Sequence, residues 1–169
     1  MRIFKEQQRF NQLWLILLML ISLLVPIALI IGTYIKNPDE FTALEFTLII
    51  VTTLLAPCII FIFKLTTRID EEGIQYKFFP FHLRFKHIKW DEIDKAYIRK
   101  YDALTEYGGW GIKGGKFWKK DKGTAVNVSG DIGIQLELKS GKKLLIGTQL
   151  KNESEMVLQT YQTKLNNNG

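Results

Sequence analysis

Two uncharged apolar stretches occupy the first third of the chain, and alternating apolar and polar positions follow them. The first stretch covers residues 13–35 and the second covers residues 46–63. As a helix, the first would be roughly 34 Å long, which exceeds the roughly 30 Å hydrocarbon core of a bilayer. It is also too long for the apolar part of a cleaved signal peptide, and no small-residue cleavage pattern follows it. The two stretches therefore predict a membrane-spanning helical hairpin.

Charged residues around the two stretches predict how the hairpin is oriented. Both outer flanks are basic, whereas the loop between the stretches carries Asp39, Glu40 and Glu45 against Lys36. The flanking basic residues are Arg2, Lys5 and Arg9 on one side, and Lys64 and Arg68 on the other. The positive-inside rule then predicts a multi-pass membrane protein with both termini in the cytoplasm.

The interior of the predicted hairpin offers little for transport chemistry. Its polar groups are hydroxyls, which usually bond to their own helix, and it contains no ionisable side chain of the kind that marks an ion path. The single cysteine, Cys58, lies inside the second stretch and has no partner for a disulfide within the chain. Residues 1–64 are therefore interpreted as an anchor.

Beyond residue 64 the pattern alternates with a period of two, which predicts strands. The strictest alternation is in residues 132–139, where Ile132, Ile134, Leu136 and Leu138 would face a core. The predicted strands are residues 65–70, 74–78, 83–86, 94–101, 124–128, 132–139 and 142–148. A turn over residues 88–93 would insert Ile88, Trp90 and Ile93 into the core, and most of Phe78, Phe79, Phe81 and Phe85 are also expected there.

An amphipathic helix closes the chain. Asn152 and Glu155 have the spacing of a capping box, and Val157, Leu158, Tyr161 and Leu165 share one stripe. Seven short strands followed by such a helix resemble the pleckstrin-homology fold, an orthogonal sandwich or barrel of two antiparallel sheets capped by the C-terminal helix. The predicted fold class is thus a membrane α-helical hairpin plus a mostly-β domain, residues 65–169, that sits against the bilayer.

Several short motifs extend this resemblance. They are Gly73-Ile74, Ile88-x-Trp90-x-x-Ile93, Tyr107-Gly-Gly-Trp110-Gly-Ile112, Asn127-Val-Ser-Gly130 and Gly147-Thr-Gln149. Together they resemble an uncharacterised bacterial family in which two transmembrane helices precede a pleckstrin-homology-like domain. The resemblance covers nearly the whole chain, and it implies no enzymatic activity, catalytic residue or cofactor.

The net charge of +6 arises entirely after residue 63, and much of it lies in one glycine-rich segment. Five lysines and three aromatic residues are interleaved there as candidate lipid or partner contacts: Trp110, Lys113, Lys116, Phe117, Trp118, Lys119, Lys120 and Lys122. Near an anionic leaflet each lysine contributes about 1 kcal/mol, so the loop could hold the domain on anionic lipid headgroups. Alternatively, Trp110 and Trp118 pack over a sheet opening while the lysines keep a long hairpin soluble.

Three functions therefore stay open. The first is a non-enzymatic binding or scaffold module at the cytoplasmic face, with a protein partner or a second copy of the chain. The second is an anionic-lipid sensor, and the third is an accessory subunit of a membrane transport or export complex. Nucleic acid is a weaker candidate partner, since no RNA-binding signature is present. His82 and His87 lack ligand spacing, and Asp91, Glu92 and Asp94 lack a nucleophile or base, so the sequence predicts no metal, cofactor or catalytic residue.

Overall fold

The computed structural model describes residues 3–37, 41–114 and 123–166. The chain forms two compact units, Phe10–Ile62 on the one hand and Met1–Arg9 with Phe63–Gly169 on the other. This division differs from the one predicted at residues 64 and 65. The difference arises because a strand at the start of the chain belongs to the β-rich unit.

Two helices make up the first unit. Helix α1 is Leu13–Lys36 and helix α2 is Ala43–Cys58, which continues as a 3-10 turn over Ile59–Ile62. Both segments are long and apolar enough to cross a membrane, so the two predicted apolar helices are confirmed. Helix α2 begins with a capping box in which Thr42 and Glu45 bond to each other's backbone N–H groups.

Hydroxyl groups within the helices bond to their own backbone, as predicted. The hydroxyls of Ser22, Thr47 and Thr52 donate to carbonyl oxygens three or four residues earlier at 2.7–2.8 Å. Each hydroxyl is thereby satisfied without a partner on another helix. Pro26 and Pro57 both lie inside helices.

Nine strands and two helices form the second unit within the described residues. The strands are β1 (Phe4–Arg9), β2 (Lys64–Ile69), β3 (Gly73–Phe79), β4 (Lys86–Lys89), β5 (Ile93–Lys100), β6 (Gly111–Lys113), β7 (Thr124–Asn127), β8 (Ile132–Leu138) and β9 (Lys143–Gly147). They build one sheet in the order β1-β2-β3-β4 and another in the order β5-β8-β9-β7-β6. Helix α3 (Ala103–Tyr107) is short, and helix α4 (Lys151–Asn166) ends the described part. A mostly-β domain with two sheets and a C-terminal helix is thus confirmed.

Strand β1 was not predicted, and it is an edge strand of the first sheet. It pairs antiparallel with β2 from Phe4 opposite Ile69 to Arg9 opposite Lys64. The buried face of β1 carries Phe4 but also the polar Glu6 and Gln8. Because the inward positions are mainly polar, the segment has no apolar alternation to mark it as a strand.

Local details around β4 differ from the prediction. Residues 83–85 are exposed loop. The strand lies instead at Lys86–Lys89, which overlaps the predicted strand only at Lys86 and extends into the segment predicted as a turn. The pairing of Ile88 with Ile74 sets this register. The three apolar residues of that segment, Ile88, Trp90 and Ile93, are buried as predicted.

The second sheet also departs from the all-antiparallel expectation. Strand β7 runs parallel to β9, with Thr124 opposite Leu144, while the other pairings in this sheet are antiparallel. Strand β6, which was not predicted either, pairs with β7 at the edge. The chain between β6 and β7 is the predicted lysine-rich loop.

Helix α4 covers the core at Trp90. The rings of Trp90 and Tyr161 stack with centroids 5.4 Å apart, and the Trp90 indole N–H donates to the Asp70 carbonyl at 2.9 Å. Val157, Leu158 and Tyr161 are buried as predicted, whereas the Leu165 side chain lies outside the described residues. The predicted cap is wrong, because the helix begins at Lys151 and Asn152 lies within its first turn.

Candidate functional site

The structure describes two of the candidate contact residues, Trp110 and Lys113. The others, Lys116, Phe117, Trp118, Lys119, Lys120 and Lys122, lie outside the described residues. Trp110 is half-buried and packs against a cluster formed by Tyr101, Ala103, Tyr107, Ala125 and Leu145. This packing matches the alternative in which Trp110 covers part of the sheet.

Lys113 and two glycines define where the lysine-rich loop leaves and rejoins the sheet. Lys113 is half-buried at the end of β6, opposite Ala125. A Cβ on Gly114 would lie 2.3 Å from the Gly123 carbonyl oxygen, and one on Gly123 would lie 2.1 Å from that of Lys143. Both glycines also have positive φ, so the backbone requires glycine at each position. The end of the loop is therefore held against the start of β9.

A groove between the two sheets begins where the loop rejoins β7. Its volume is about 500 Å³, and it is lined by Tyr76, Lys86, His87, Ile88, Thr124, Leu138, Lys142, Lys143 and Leu144. Strands β3 and β4 form one wall, and strands β7, β8 and β9 with the turn before β9 form the other. Buried Tyr76, Ile88 and Leu144 make an apolar floor. We refer to this site as the basic groove.

The charged side chains that line the basic groove are all lysines. Lys86, His87, Lys142 and Lys143 are exposed at its rim, and no carboxylate is among the lining residues. Within the described part of the chain, none of the three lysines is in an ion pair. Glu137 is opposite Lys143 in the β8–β9 register, but it accepts a hydrogen bond from the Tyr97 hydroxyl at 2.9 Å. The rim lysines are therefore available to an anion.

Tyr76 adds a neutral polar group to the lining. Burial raises the pKa of its phenol, so this side chain stays uncharged at neutral pH. In register, Tyr76 is directly opposite Lys86, one of the rim lysines. Among the described residues that line the groove, an anion would thus meet lysines at the rim and no carboxylate.

A second, smaller depression lies beside Trp110 and has a volume of about 270 Å³. It is lined by Lys100, Tyr101, Asp102, Ala103, Leu104, Trp110, Gly130 and Asp131. Its lysine is already paired, because Lys100 Nζ lies 3.0 Å from a carboxylate oxygen of Asp131. This depression is consequently less suited to a charged ligand than the basic groove.

Two of the residues without a predicted role, His82 and Glu92, have structural partners. The His82 imidazole accepts the Phe78 N–H at 3.3 Å, and burial together with nearby Lys86 lowers its pKa. Glu92 accepts the Lys89 N–H at 3.1 Å and so caps the turn before β5. No group of three or more His, Cys, Asp or Glu side chains in residues 3–37, 41–114 and 123–166 is arranged to hold a metal ion.

The basic groove was missed in the sequence because its basic residues come from separate strands. Lys86 and His87 belong to β4, while Lys142 and Lys143 lie at the β8–β9 turn, more than fifty residues later. Only the approach of the two sheets brings them together.

A comparison of the chain with protein-family models, curated proteins and solved structures finds no match.

Proposed function

We propose that the chain is a membrane-anchored, non-enzymatic binding module that presents a basic, pleckstrin-homology-like domain at the cytoplasmic face of a bacterial inner membrane. The anchor is supported by the two long apolar helices. The pairing of β1 with β2 supports the placement of both ends of the helical segment on the same side of the membrane. These strands flank the helices and cannot pair across a bilayer. The basic flanks favour the cytoplasm for that side.

The fold supports the pleckstrin-homology-like part of the proposal through its two sheets and through α4, which packs on Trp90. The parallel pairing of β7 with β9 is a departure from the simplest form of that fold. Binding is therefore argued from the groove itself and not from the resemblance.

One observation supports binding most directly: the basic groove presents Lys86, Lys142 and Lys143 with no carboxylate among its lining residues. A compact anion with several charges, such as a phosphate group of a lipid or of a soluble metabolite, fits this charge pattern. The lysines of the adjoining loop, residues 113–122, would add to the attraction in the same direction.

The test uses the full chain in nanodiscs of neutral phosphatidylcholine, with inositol hexakisphosphate as the probe in isothermal titration calorimetry. One variant carries Lys86→Ser, Lys142→Ser and Lys143→Ser. Three lysines at about 1 kcal/mol each would contribute roughly 3 kcal/mol, so the dissociation constant should rise on the order of 100-fold.

A matched variant separates the groove from the net charge. Lys5→Ser, Lys95→Ser and Lys151→Ser remove the same charge from exposed positions that do not line the groove. Affinity close to that of the unchanged chain is expected for this control. Equal losses in the two triple variants, or no binding by the unchanged chain, would refute the groove as the binding site. Repeating the titration with anionic nanodiscs as competitor distinguishes a lipid phosphate from a soluble one.

A further inference from the structure

One end of the first sheet carries both connections to the apolar helices. Arg9, the last residue of β1, is opposite Lys64, the first residue of β2, and Lys64 is in turn opposite Phe79 at the end of β3. The chain enters the helical segment directly after Arg9 and leaves it directly before Phe63. Three neighbouring strand ends are therefore side by side at this end of the sheet.

The loop that follows β3 extends from this same end and exposes large apolar side chains. Phe81 is 66% exposed and Leu83 is 78% exposed, and Phe79 and Phe85 are also exposed. This overturns the expectation that most of these rings are in the core, since Phe78 alone of the four is buried. An exposed apolar group of this size on one short loop indicates an interaction surface.

Ring contacts connect the loop to the chain that leaves the second helix. Phe63 stacks with Phe81 at 5.7 Å between ring centroids and with Phe78 at 6.0 Å. Phe63 directly follows Ile62, the last residue of the second membrane-span candidate. The loop therefore contacts the residue that directly follows this span in the sequence.

Charges along the first sheet are divided between its two ends. Lys77 and Lys86 flank the loop, and Arg84 lies within it. No acidic residue occurs between Lys77 and Lys89. The opposite end carries the turn with Asp70, Glu71 and Glu72. At about 3.4 Å per residue, the six-residue strand β2 separates these ends by roughly 17 Å. The basic, apolar end is thus the one that holds the connections to the helices.

We propose that residues 79–85 form a membrane-interface wedge, in which Phe81 and Leu83 insert between lipid headgroups while Arg84 and Lys77 contact lipid phosphates. The occupant of this surface is lipid rather than a protein, because the loop is continuous with the end of a membrane-span candidate and its charges complement an anionic leaflet. This inference rests on the membrane anchor of the proposed function. It does not depend on ligand binding in the basic groove.

The test measures how deeply the loop enters the bilayer. The full chain carries Cys58→Ser and one new cysteine, labelled with the environment-sensitive fluorophore NBD, in vesicles of three parts phosphatidylcholine to one part phosphatidylglycerol. Leu83→Cys reports the wedge, and Glu72→Cys reports the opposite end of the same sheet. Ile21→Cys, in the middle of α1, reports the anchor. Both domain positions are exposed, so neither substitution disturbs the core.

Nitroxide-labelled lipids should quench the label at position 83 several-fold more than the label at position 72, and its emission should shift to the blue. Iodide in the buffer should quench position 72 and spare position 83. Equal lipid quenching at positions 83 and 72 would overturn the wedge. Protection of position 83 from iodide without quenching by lipid would also overturn it and would identify a protein as the occupant. If position 21 is not quenched by lipid, the anchor itself is refuted.

Discussion

Removal of strand β1 tests whether the first residues of the chain are part of the β-rich domain. Two soluble chains make the comparison. One begins at Lys64, and in the other a two-residue Asn-Gly turn replaces residues 10–63. Because Arg9 and Lys64 are directly opposite each other in an antiparallel pair, such a turn can join β1 to β2 as an ordinary hairpin.

The contacts of β1 set the size of the expected effect. Phe4 is 3% exposed, and its burial contributes about 2 kcal/mol. Glu6 accepts hydrogen bonds from the Thr148 hydroxyl at 2.6 Å and from the Gln149 N–H at 2.7 Å, and each bond to a charged group contributes about 1.5–3 kcal/mol. The Gln8 amide adds a bond to the Gly147 carbonyl at 2.8 Å. The loss is thus roughly 6 kcal/mol, which is comparable with the whole stability of a small domain.

Urea unfolding followed by far-ultraviolet circular dichroism provides the measurement. The turn-linked chain should be a monomer with a single cooperative transition. The chain that begins at Lys64 should lack such a transition or unfold at a much lower urea concentration. It should also self-associate, because β2 becomes an unpaired edge strand. Equal midpoints for the two chains would refute the assignment of β1 to the core of this domain.

Two further changes test the backbone and the buried polar groups of the same domain. Gly73→Ala should lower the free energy of unfolding of the turn-linked chain by about 2–4 kcal/mol, because φ is +152° and a Cβ would lie 2.1 Å from the Ile88 carbonyl oxygen. Gly141→Ala, at φ +78° in open space, should cost only about 1 kcal/mol, and similar losses for both would contradict the steric argument. Burial raises the pKa of Tyr101 to about 12, so the stability that its neutral phenol retains below pH 10 should be lost as the pH rises from 10 to 12. Tyr101→Phe should reduce this alkaline loss in urea unfolding at several pH values, and an unchanged pH profile would show that Tyr101 does not contribute to it.

The parts of the fold that the sequence predicted are those governed by local pattern. Helix α1 begins at Leu13 as predicted, because an apolar run longer than twenty residues has few alternatives. Strand β8 was predicted from the alternation of residues 132–139, but its predicted division into one buried and one solvent-exposed face is wrong. Ile134 and Leu136 are buried as predicted, and Gln135 on the opposite face is buried as well. In both cases the residues that decide the structure are close neighbours in the sequence.

Strand β1 could not be predicted in this way because its inward positions depend on distant partners. Glu6 and Gln8 are polar, and they are buried only because Thr148, Gln149 and Gly147 supply their hydrogen bonds. The Glu6–Thr148 pair is separated by 142 residues. A segment whose buried face is satisfied by hydrogen bonds has no hydrophobic period, so its pattern favours a solvated segment instead.

The loop after β3 is the opposite case, in which apolar residues are exposed and not buried. Leu83 and Phe85 alternate with polar residues, which predicted a strand with its apolar face in a core, yet both side chains are exposed. Apolar alternation indicates that one face avoids water, and a lipid interface meets that requirement as well as a protein core does. The basic groove has no local pattern at all, because its cations come from β4 and from the β8–β9 turn.

The pairing of β1 with β2 also constrains topology independently of charge. The positive-inside rule predicts that both ends of the hairpin lie on one side, from the distribution of lysine and arginine. The sheet reaches the same result through hydrogen bonding, because two strands cannot pair through roughly 30 Å of hydrocarbon. With Phe4–Arg9 paired to Lys64–Ile69, the segment between them can cross the membrane twice or not at all, but never once. Insertion of α1 without α2 would therefore require β1 to leave its sheet and give up the buried contacts of Phe4, Glu6 and Gln8. In the proposed membrane anchor, the folded sheet would thus make insertion of the two helices a joint event.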